Sequence, residues 1–179
     1  TNLQETLHKL AREAEETTDL KGLLALGQSA PALEIPSRTL PDPPARRPTI
    51  AVAKDRAFCF YYADALSLLE ELGAELAEFF PLEDHALPEG CSGLYLGGGY
   101  PELYAGQLSR NTALLEQIRQ AVADGMPTVA ECGGFLYLHG HLAGADGAEA
   151  PLAGVFPGRA WNRGKLGRVG YVTLTARKG

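Results

Sequence analysis

The sequence has few cysteines, no long apolar run and no excess of basic residues, and each of these absences excludes a class of protein. The three cysteines among 179 residues lack the paired spacing of a disulfide framework or a zinc site. No apolar run approaches the length of a membrane span, so we expect no membrane partner. A formal net charge of −6 disfavours nucleic acid as a partner. A reducing cytoplasm is the simplest setting for unpaired cysteines.

The first 28 residues are predicted to be helical and to form no domain of their own. Apolar Leu3, Leu7 and Leu10 recur at helical spacing. Asp19 is placed to cap a second short helix, which Gly27 is expected to end. The chain begins without Met and without a signal peptide, so we expect a fragment or a processed chain. Residues 1–28 are then the helical end of an upstream domain.

Residues 29–48 are rich in proline and are predicted to be an extended linker without a core. We therefore place a domain boundary near Arg46. The remaining residues, 49–179, form the second domain, and they are numerous enough to bury a substantial core.

From residue 49 onward, short apolar strands alternate with helices. The predicted strands are Thr49–Ala53, Leu76–Phe80, Leu94–Leu96, Thr128–Ala130, Val155–Pro157 and Tyr171–Thr175, and the predicted helices are Tyr62–Leu72 and Asn111–Ala123. Such alternation indicates an α/β fold, with a mostly parallel sheet and helices on both faces. Ligands of such sheets bind beyond the carboxyl ends of the strands. Three loops are expected to converge there: residues 54–61, 97–102 and 131–134.

The most informative stretch is residues 130–134 (AECGG), which lies between a predicted strand and the apolar run 135–138. A cysteine on such a turn is displayed at the edge of the sheet, and the start of a helix favours negative charge there. Gly133 and Gly134 allow a sharp turn. This strand–nucleophile–helix plan is that of a nucleophile elbow, with Cys132 in place of serine.

The alternative interpretation of Cys132 is a small core residue, because unbonded cysteine is among the most buried residue types. The two following glycines and the switch from strand to helix favour the elbow. Cys59, which lies between aromatic residues, is predicted to be in or near the core. Cys91 is predicted to lie in a surface turn before a strand.

A second motif consists of three glycines, Gly97, Gly98 and Gly99, directly after a predicted strand. Their N–H groups can point at one spot, as acyl transfer requires when negative charge develops on a carbonyl oxygen. Gly98 or Gly99 would supply one such donor, and Gly133 a second. A phosphate-binding loop is disfavoured because no Lys-Ser or Lys-Thr pair follows. A plain tight turn remains an alternative.

Together these motifs resemble the class I glutamine amidotransferases, and among them the cobyrinic or hydrogenobyrinic acid a,c-diamide synthases. The matching stretches are, in order, 51–62 (AVAKDRAFCFYY), 93–103 (GLYLGGGYPEL) and 130–138 (AECGGFLYL), with weaker matches at 154–158 (GVFPG) and 167–171 (GRVGY). The resemblance runs from about Thr49 to the end. It implies a flavodoxin-like glutaminase domain, truncated before its last elements.

The resemblance also implies a two-part enzyme of cobalamin biosynthesis. The glutaminase part hydrolyses glutamine through a thioester on Cys132, with Gly98, Gly99 and Gly133 holding the oxyanion, and it needs no cofactor or metal. The other part, absent here, uses ATP and magnesium to activate two carboxylates of a corrin ring, which ammonia converts to amides. Residues 19–26 are similar to the last helix of that part. The oligomeric state stays open, with a homodimer among the alternatives.

The catalytic histidine of the resembled family follows a later strand, and this sequence does not reach it. His139 is predicted to lie on the same helix as Cys132, roughly 10 Å along its axis and beyond hydrogen-bond reach. His141 lies farther along, and His8 and His85 are interpreted as surface or core-edge residues. We therefore expect this chain to lack its general base and to be inactive alone.

Other functions remain open at this point. Within the same superfamily, the alternatives are cobyric acid synthase and a diamide synthase acting on a nickel tetrapyrrole. A cysteine hydrolase or a redox-sensing protein would have a reactive Cys132 but no response to glutamine analogues. A non-catalytic flavodoxin-like binding module would have an inert thiol.

Overall fold

The computed structural model describes residues 2–35, 37–161, 170–173 and 175. The chain divides into two compact units, Thr1–Thr39 and Leu40–Gly179. The first unit contains two helices, α1 (Leu3–Thr17) and α2 (Leu20–Gln28), and neither helix has a buried residue.

The start of α2 is as predicted, but its end is not. The carboxylate of Asp19 accepts a hydrogen bond of 2.9 Å from the Gly22 N–H and so caps the helix. The prediction that Gly27 ends the helix is wrong, because the helix continues to Gln28. Ser29 closes it instead: its N–H bonds to the Ala25 carbonyl at 3.0 Å, which satisfies one of the last carbonyls of the helix.

The second unit contains nine strands, four helices and one 3-10 turn within its described residues. The strands are β1 (Thr49–Ala53), β2 (Phe58–Phe60), β3 (Glu75–Phe79), β4 (Gly93–Leu96), β5 (Gly98–Gly99), β6 (Thr128–Ala130), β7 (His139–Ala143), β8 (Glu149–Pro151) and β9 (Phe156–Ala160). The helices are α3 (Ala63–Glu71), α4 (Ala105–Leu108), α5 (Thr112–Ala123) and α6 (Gly133–Tyr137), and the 3-10 turn is Pro101–Leu103.

The central sheet has the strand order β3-β1-β4-β6 and is parallel throughout. This confirms the α/β fold and the first four predicted strands, although β3 lies one residue earlier than predicted and β4 begins one residue earlier. After β1 the chain crosses to β3 on one side, and later to β4 and β6 on the other. Connections that diverge in this way create a crevice beyond the carboxyl ends of β1 and β4, where ligands of open α/β sheets bind.

The core lies on one face of this sheet, as the two-residue period of strands requires. Ala51 and Ala53 of β1 and Leu94 and Leu96 of β4 are almost completely buried there, together with Leu114 and Ile118 of α5. The opposite face packs against α3 along an apolar groove of about 860 Å³. Val129 of β6 lines this groove and is 54 % exposed.

Two smaller sheets were not predicted from the sequence. β2 and β5 form an antiparallel pair, and β7 lies between β8 and β9 in a three-stranded sheet. The strand predicted at Val155–Pro157 belongs to this third sheet and begins one residue later. The prediction of a strand at Tyr171–Thr175 is wrong for its described residues: residues 171–173 and 175 are in no strand, and Tyr171 and Val172 are exposed rather than packed in a sheet. No described helix combines the length and the apolar character that crossing a membrane requires.

Replacing a buried leucine of α5 by alanine should show how much this core contributes to the free energy of unfolding. Leu114 is 0 % exposed, so Leu114→Ala loses buried apolar area and leaves a cavity. We expect the free energy of unfolding to fall by about 2–5 kcal/mol in urea denaturation. Leu103→Ala is the matched control, because Leu103 is 59 % exposed and its loss should change the same quantity by less than about 0.5 kcal/mol. Equal effects of the two substitutions would contradict this placement of the core.

Candidate active site

The three loops predicted to converge do so at the carboxyl ends of β1, β4 and β6. Backbone hydrogen bonds, each 2.9 Å long, join them: from the Glu131 N–H to the Leu96 carbonyl, from the Gly134 N–H to the Gly97 carbonyl, and from the Tyr100 N–H to the Ala57 carbonyl. These bonds tie the turn after β6 to the glycine loop after β4, and the glycine loop to the loop after β1.

Cys132 occupies the turn between β6 and α6 and is exposed to solvent. Its backbone angles are φ 47° and ψ −109°, and it is the one non-glycine residue with positive φ among those described. A non-glycine residue in this conformation costs about 1–3 kcal/mol, and the conformation persists only where the surrounding structure holds it. Hydrogen bonds hold this turn on both sides: Gly134 donates to Glu131 at 2.8 Å, and Leu136 donates to Cys132 at 3.1 Å. The predicted strand–cysteine–helix arrangement is therefore present, although α6 is only five residues long.

The glycines of the turn lie directly against the glycine loop. A Cβ atom on Gly134 would collide with the carbonyl oxygen of Leu96, and one on Gly133 would lie 3.0 Å from the backbone nitrogen of Gly99. A Cβ atom on Gly98 would lie 3.6 Å from Cβ of Cys132. The residues predicted to surround a developing oxyanion are thus brought together around the cysteine.

The donors available to an oxyanion follow from this contact. Gly133 is the first residue of α6, and the N–H of a first helical residue has no partner within its helix. Gly97 contributes differently, because its N–H is donated to the Tyr61 hydroxyl at 2.9 Å. This bond leaves Gly98 and Gly99 as the members of the glycine loop that remain candidates for the second donor.

Tyr61 holds the glycine loop through a hydrogen bond to Gly97, and the sequence did not indicate this role. Its hydroxyl accepts the hydrogen bond from Gly97 and donates one to the carbonyl of Ala53 at the end of β1. Burial raises the pKa of Tyr61, so the hydroxyl stays protonated and keeps its donor. No local signal distinguishes Tyr61 from its neighbour Tyr62, which is 75 % exposed.

Asp55 fixes the loop after β1, and it too was missed. One carboxylate oxygen accepts hydrogen bonds from the N–H groups of Ala57 at 2.7 Å and Phe58 at 3.2 Å. The other oxygen accepts from Leu82 at 2.8 Å. An aspartate that bonds to the backbone two residues ahead is typical of a turn, and here it positions β2 for pairing with β5.

A pocket of about 320 Å³ opens at Cys132. Its lining consists of Phe60, Tyr61, Tyr62, Gly98, Glu131 and Cys132. This volume is at the lower end of the range for small-molecule sites. Of these six described residues, three are aromatic and Glu131 is the only one with a charged side chain. The pocket therefore suits a small ligand beside the thiol.

No histidine lines this pocket. His8, His85 and His141 are exposed, and His139 is half-buried. The prediction that His139 continues the helix of Cys132 is wrong, because α6 ends at Tyr137 and His139 begins β7. From His139 onward the chain pairs with β8 and β9 as a strand, so the helix does not continue. The Nδ1 atom of His139 lies 3.0 Å from the Phe135 carbonyl oxygen.

The other two cysteines differ from Cys132 in their settings. The prediction that Cys59 lies in or near the core is wrong, since Cys59 is exposed. Residues alternate across a strand, and Phe58, at 0 % exposure, takes the core-facing position of β2. Cys91 lies in the loop before β4 and is half-buried against the core, where burial raises the pKa of its thiol.

Comparison with known proteins gives consistent matches. Residues 49–176 match the family described as CobB/CobQ-like glutamine amidotransferase domain. The cobyrinate a,c-diamide synthase of Caldanaerobacter subterraneus is 42 % identical over 96 % of this chain and 37 % of its own length. The synthases of Salmonella typhimurium and Gloeobacter violaceus are 42 % and 44 % identical, over 97 % and 98 % of this chain and 38 % of their own lengths. The chain thus spans less than two-fifths of the length of these curated relatives.

The contact between the turn and the glycine loop predicts a large penalty for Gly134→Ala. The added methyl group has no room beside the Leu96 carbonyl, so we expect a loss of more than about 2 kcal/mol of folding free energy in urea denaturation. Gly106→Ala, in α4, is the matched control because a Cβ atom there meets nothing within 4 Å. It should be neutral or stabilise by up to about 1 kcal/mol. A tolerated Gly134→Ala would show that the two loops are not in contact.

Tyr61→Phe should weaken the support of the glycine loop. The substitution leaves the Gly97 N–H and the Ala53 carbonyl without their partner, at a cost of about 1–3 kcal/mol. Hydrogen exchange should also accelerate at the Gly97 amide. Tyr62→Phe, at the exposed neighbouring position, should change the free energy of unfolding by less than about 0.5 kcal/mol. Protection of the Gly97 amide that survives in Tyr61→Phe would argue against the hydroxyl as its acceptor.

Proposed function

The chain belongs to the CobB/CobQ-like glutamine amidotransferase domain family, and on this basis we propose that it is the glutaminase part of a cobyrinate a,c-diamide synthase. The whole enzyme then converts the a and c carboxylates of cobyrinic or hydrogenobyrinic acid to amides in cobalamin biosynthesis, with glutamine as the nitrogen donor. The observation that carries this proposal is the position of Cys132, exposed on a strained turn against Gly98 and Gly133.

In the proposed reaction, the Cys132 thiolate attacks the carbon of the side-chain amide of glutamine. Negative charge moves to the amide oxygen, where the N–H of Gly133 and an N–H of Gly98 or Gly99 stabilise it. The carbon–nitrogen bond then breaks, ammonia leaves with a proton, and a thioester remains on the sulfur. Water hydrolyses the thioester to glutamate and restores the thiol, so that glutamine and water yield glutamate and ammonia.

A general base must take the thiol proton and deliver it to the leaving nitrogen. The pocket lining contains no histidine, and the chain spans 37 % of the length of its Caldanaerobacter relative. We therefore assign the base to a histidine of the longer protein, beyond residue 179. This assignment implies that residues 1–179 alone do not hydrolyse glutamine.

The amide-forming half-reaction is assigned to the remainder of the longer protein. There ATP and magnesium would activate each corrin carboxylate as an acyl phosphate, which ammonia attacks. In this scheme residues 1–28 are the end of that ATP-dependent part, residues 29–48 are the linker, and the enzyme works in the cytoplasm. Within the described residues, no group of three or more His, Cys, Asp or Glu side chains is placed to hold a metal ion, so we assign no magnesium ligand here.

Substitution of the nucleophile in the full-length enzyme tests this function. Cys132→Ala should lower glutamine-dependent amidation by at least about 1,000-fold, because no other group in the pocket can form the thioester. Amidation with added ammonium salt should persist, since free ammonia bypasses the glutaminase part. Cys59→Ala, at another exposed cysteine, should leave both activities intact. Glutaminase activity that survives in Cys132→Ala would refute the assignment.

A further inference from the structure

The pocket beside Cys132 has a charge pattern that the glutaminase chemistry does not explain. Among the described residues that line it, Glu131 is the only charged one, and Phe60, Tyr61 and Tyr62 are aromatic. Amide hydrolysis needs a nucleophile, oxyanion donors and a general base, and a carboxylate at residue 131 serves none of these roles in the scheme above. A lone carboxylate in a small pocket attracts a cationic group and repels an anionic one.

We propose that Glu131 is a specificity-determining residue that binds the α-ammonium group of the amide donor. This inference rests on the proposed function, because it concerns the same pocket. It specifies the substrate class: a free amino acid that carries a side-chain amide, as opposed to an amide without an amino group.

The strand that precedes the nucleophile places this carboxylate. Along β6 and the residue after it, Val129 is exposed on the groove face, Ala130 packs against the core, and Glu131 returns to the side of Val129. The Glu131 N–H, bonded to the Leu96 carbonyl at 2.9 Å, fixes the backbone at this point. Because Glu131 directly precedes Cys132, the anchor and the nucleophile are held by the same rigid turn.

Tyr95 orients the carboxylate. Its hydroxyl donates a hydrogen bond to Oε2 of Glu131 at 3.3 Å, and its ring packs edge-on against Tyr61 at 5.2 Å. Burial and the neighbouring charge of Glu131 raise the pKa of Tyr95, so the hydroxyl remains a donor. A carboxylate has about four acceptor positions, so this bond leaves capacity for an ammonium group.

The size of the pocket and its lack of basic side chains narrow the ligand further. About 320 Å³ accommodates a single amino acid but leaves little space for a nucleotide or a folded peptide. The described residues that line the pocket include no lysine or arginine, so we assign the discrimination by charge to the amino group of the substrate. Charge-assisted hydrogen bonds are about twice as strong as neutral ones, which makes this contact the main polar source of selectivity for the donor.

The test compares two substrates in the full-length enzyme: glutamine, and glutaric acid monoamide, which lacks only the amino group. We expect the wild type to prefer glutamine in kcat/KM by about 10- to 100-fold, the range for a charge-assisted hydrogen bond. In Glu131→Gln the kcat/KM for glutamine should fall by about the same factor, mainly through KM, while that for the monoamide stays unchanged. The preference then disappears.

Three further variants separate this role from a structural one. Glu131→Asp keeps the charge and should retain part of the preference, and Tyr95→Phe should reduce it by only a few-fold. Glu89→Gln, at an exposed glutamate in the turn before β4, should leave the preference unchanged. Ammonia-dependent amidation reports whether each variant is folded.

The outcomes distinguish the two proposals. A Glu131→Gln enzyme that loses activity equally toward both substrates, with the preference intact, overturns the role of Glu131 but leaves the glutaminase assignment standing. A wild type that hydrolyses both substrates equally well overturns the role of Glu131 alone. A wild-type enzyme that hydrolyses neither glutamine nor the monoamide, even when the substrates of the amidation reaction are also present, overturns both proposals.

Discussion

The whole site depends on one constraint: the chain reverses between β6 and α6 in a space that has no room for side chains. Gly134 lies against the Leu96 carbonyl and Gly133 lies against the backbone of Gly99, so only glycine fits at either position. This turn holds Cys132 at φ 47°. A cysteine adopts such a conformation only when the surrounding structure imposes it. The packing of Gly133 and Gly134 against the glycine loop therefore both exposes Cys132 and places it close to that loop.

The supports of this turn explain why it can be both strained and stable. Tyr61 ties the glycine loop to β1, and Asp55 ties the loop after β1 to Leu82. Behind the turn, the buried ring of Tyr137 packs edge-on against Phe58 at 5.1 Å. The hydrogen bonds of Tyr61 and Asp55 are partly removed from water, where an unmade hydrogen bond is costly, and Tyr137 contributes buried ring contacts. Distorting the turn would therefore disturb contacts in all three loops.

Much of this architecture could be predicted from the sequence, because the signals were local. The apolar runs of β1, β4 and β6, and the glycines at residues 97–99 and 133–134, specify strands and turns without reference to the rest of the chain. What was missed depends on tertiary contacts. The exposure of Cys59 follows from the pairing of β2 with β5, and the departure of His139 from the helix follows from the sheet of β7. Tyr61 and Tyr62 are chemically identical in the sequence, and only the position of Ala53 and Gly97 distinguishes them.

Alkylation of the full-length protein by a chloroketone analogue of glutamine, with the adduct mapped by mass spectrometry, tests most directly whether the turn makes Cys132 a glutamine-specific nucleophile. Cys59 is also exposed and serves as an internal control. We predict an adduct on Cys132 that forms while Cys59 stays unmodified, and that excess glutamine prevents. Modification of Cys59 at the same rate, or labelling of Cys132 that glutamine does not slow, would contradict the proposed site.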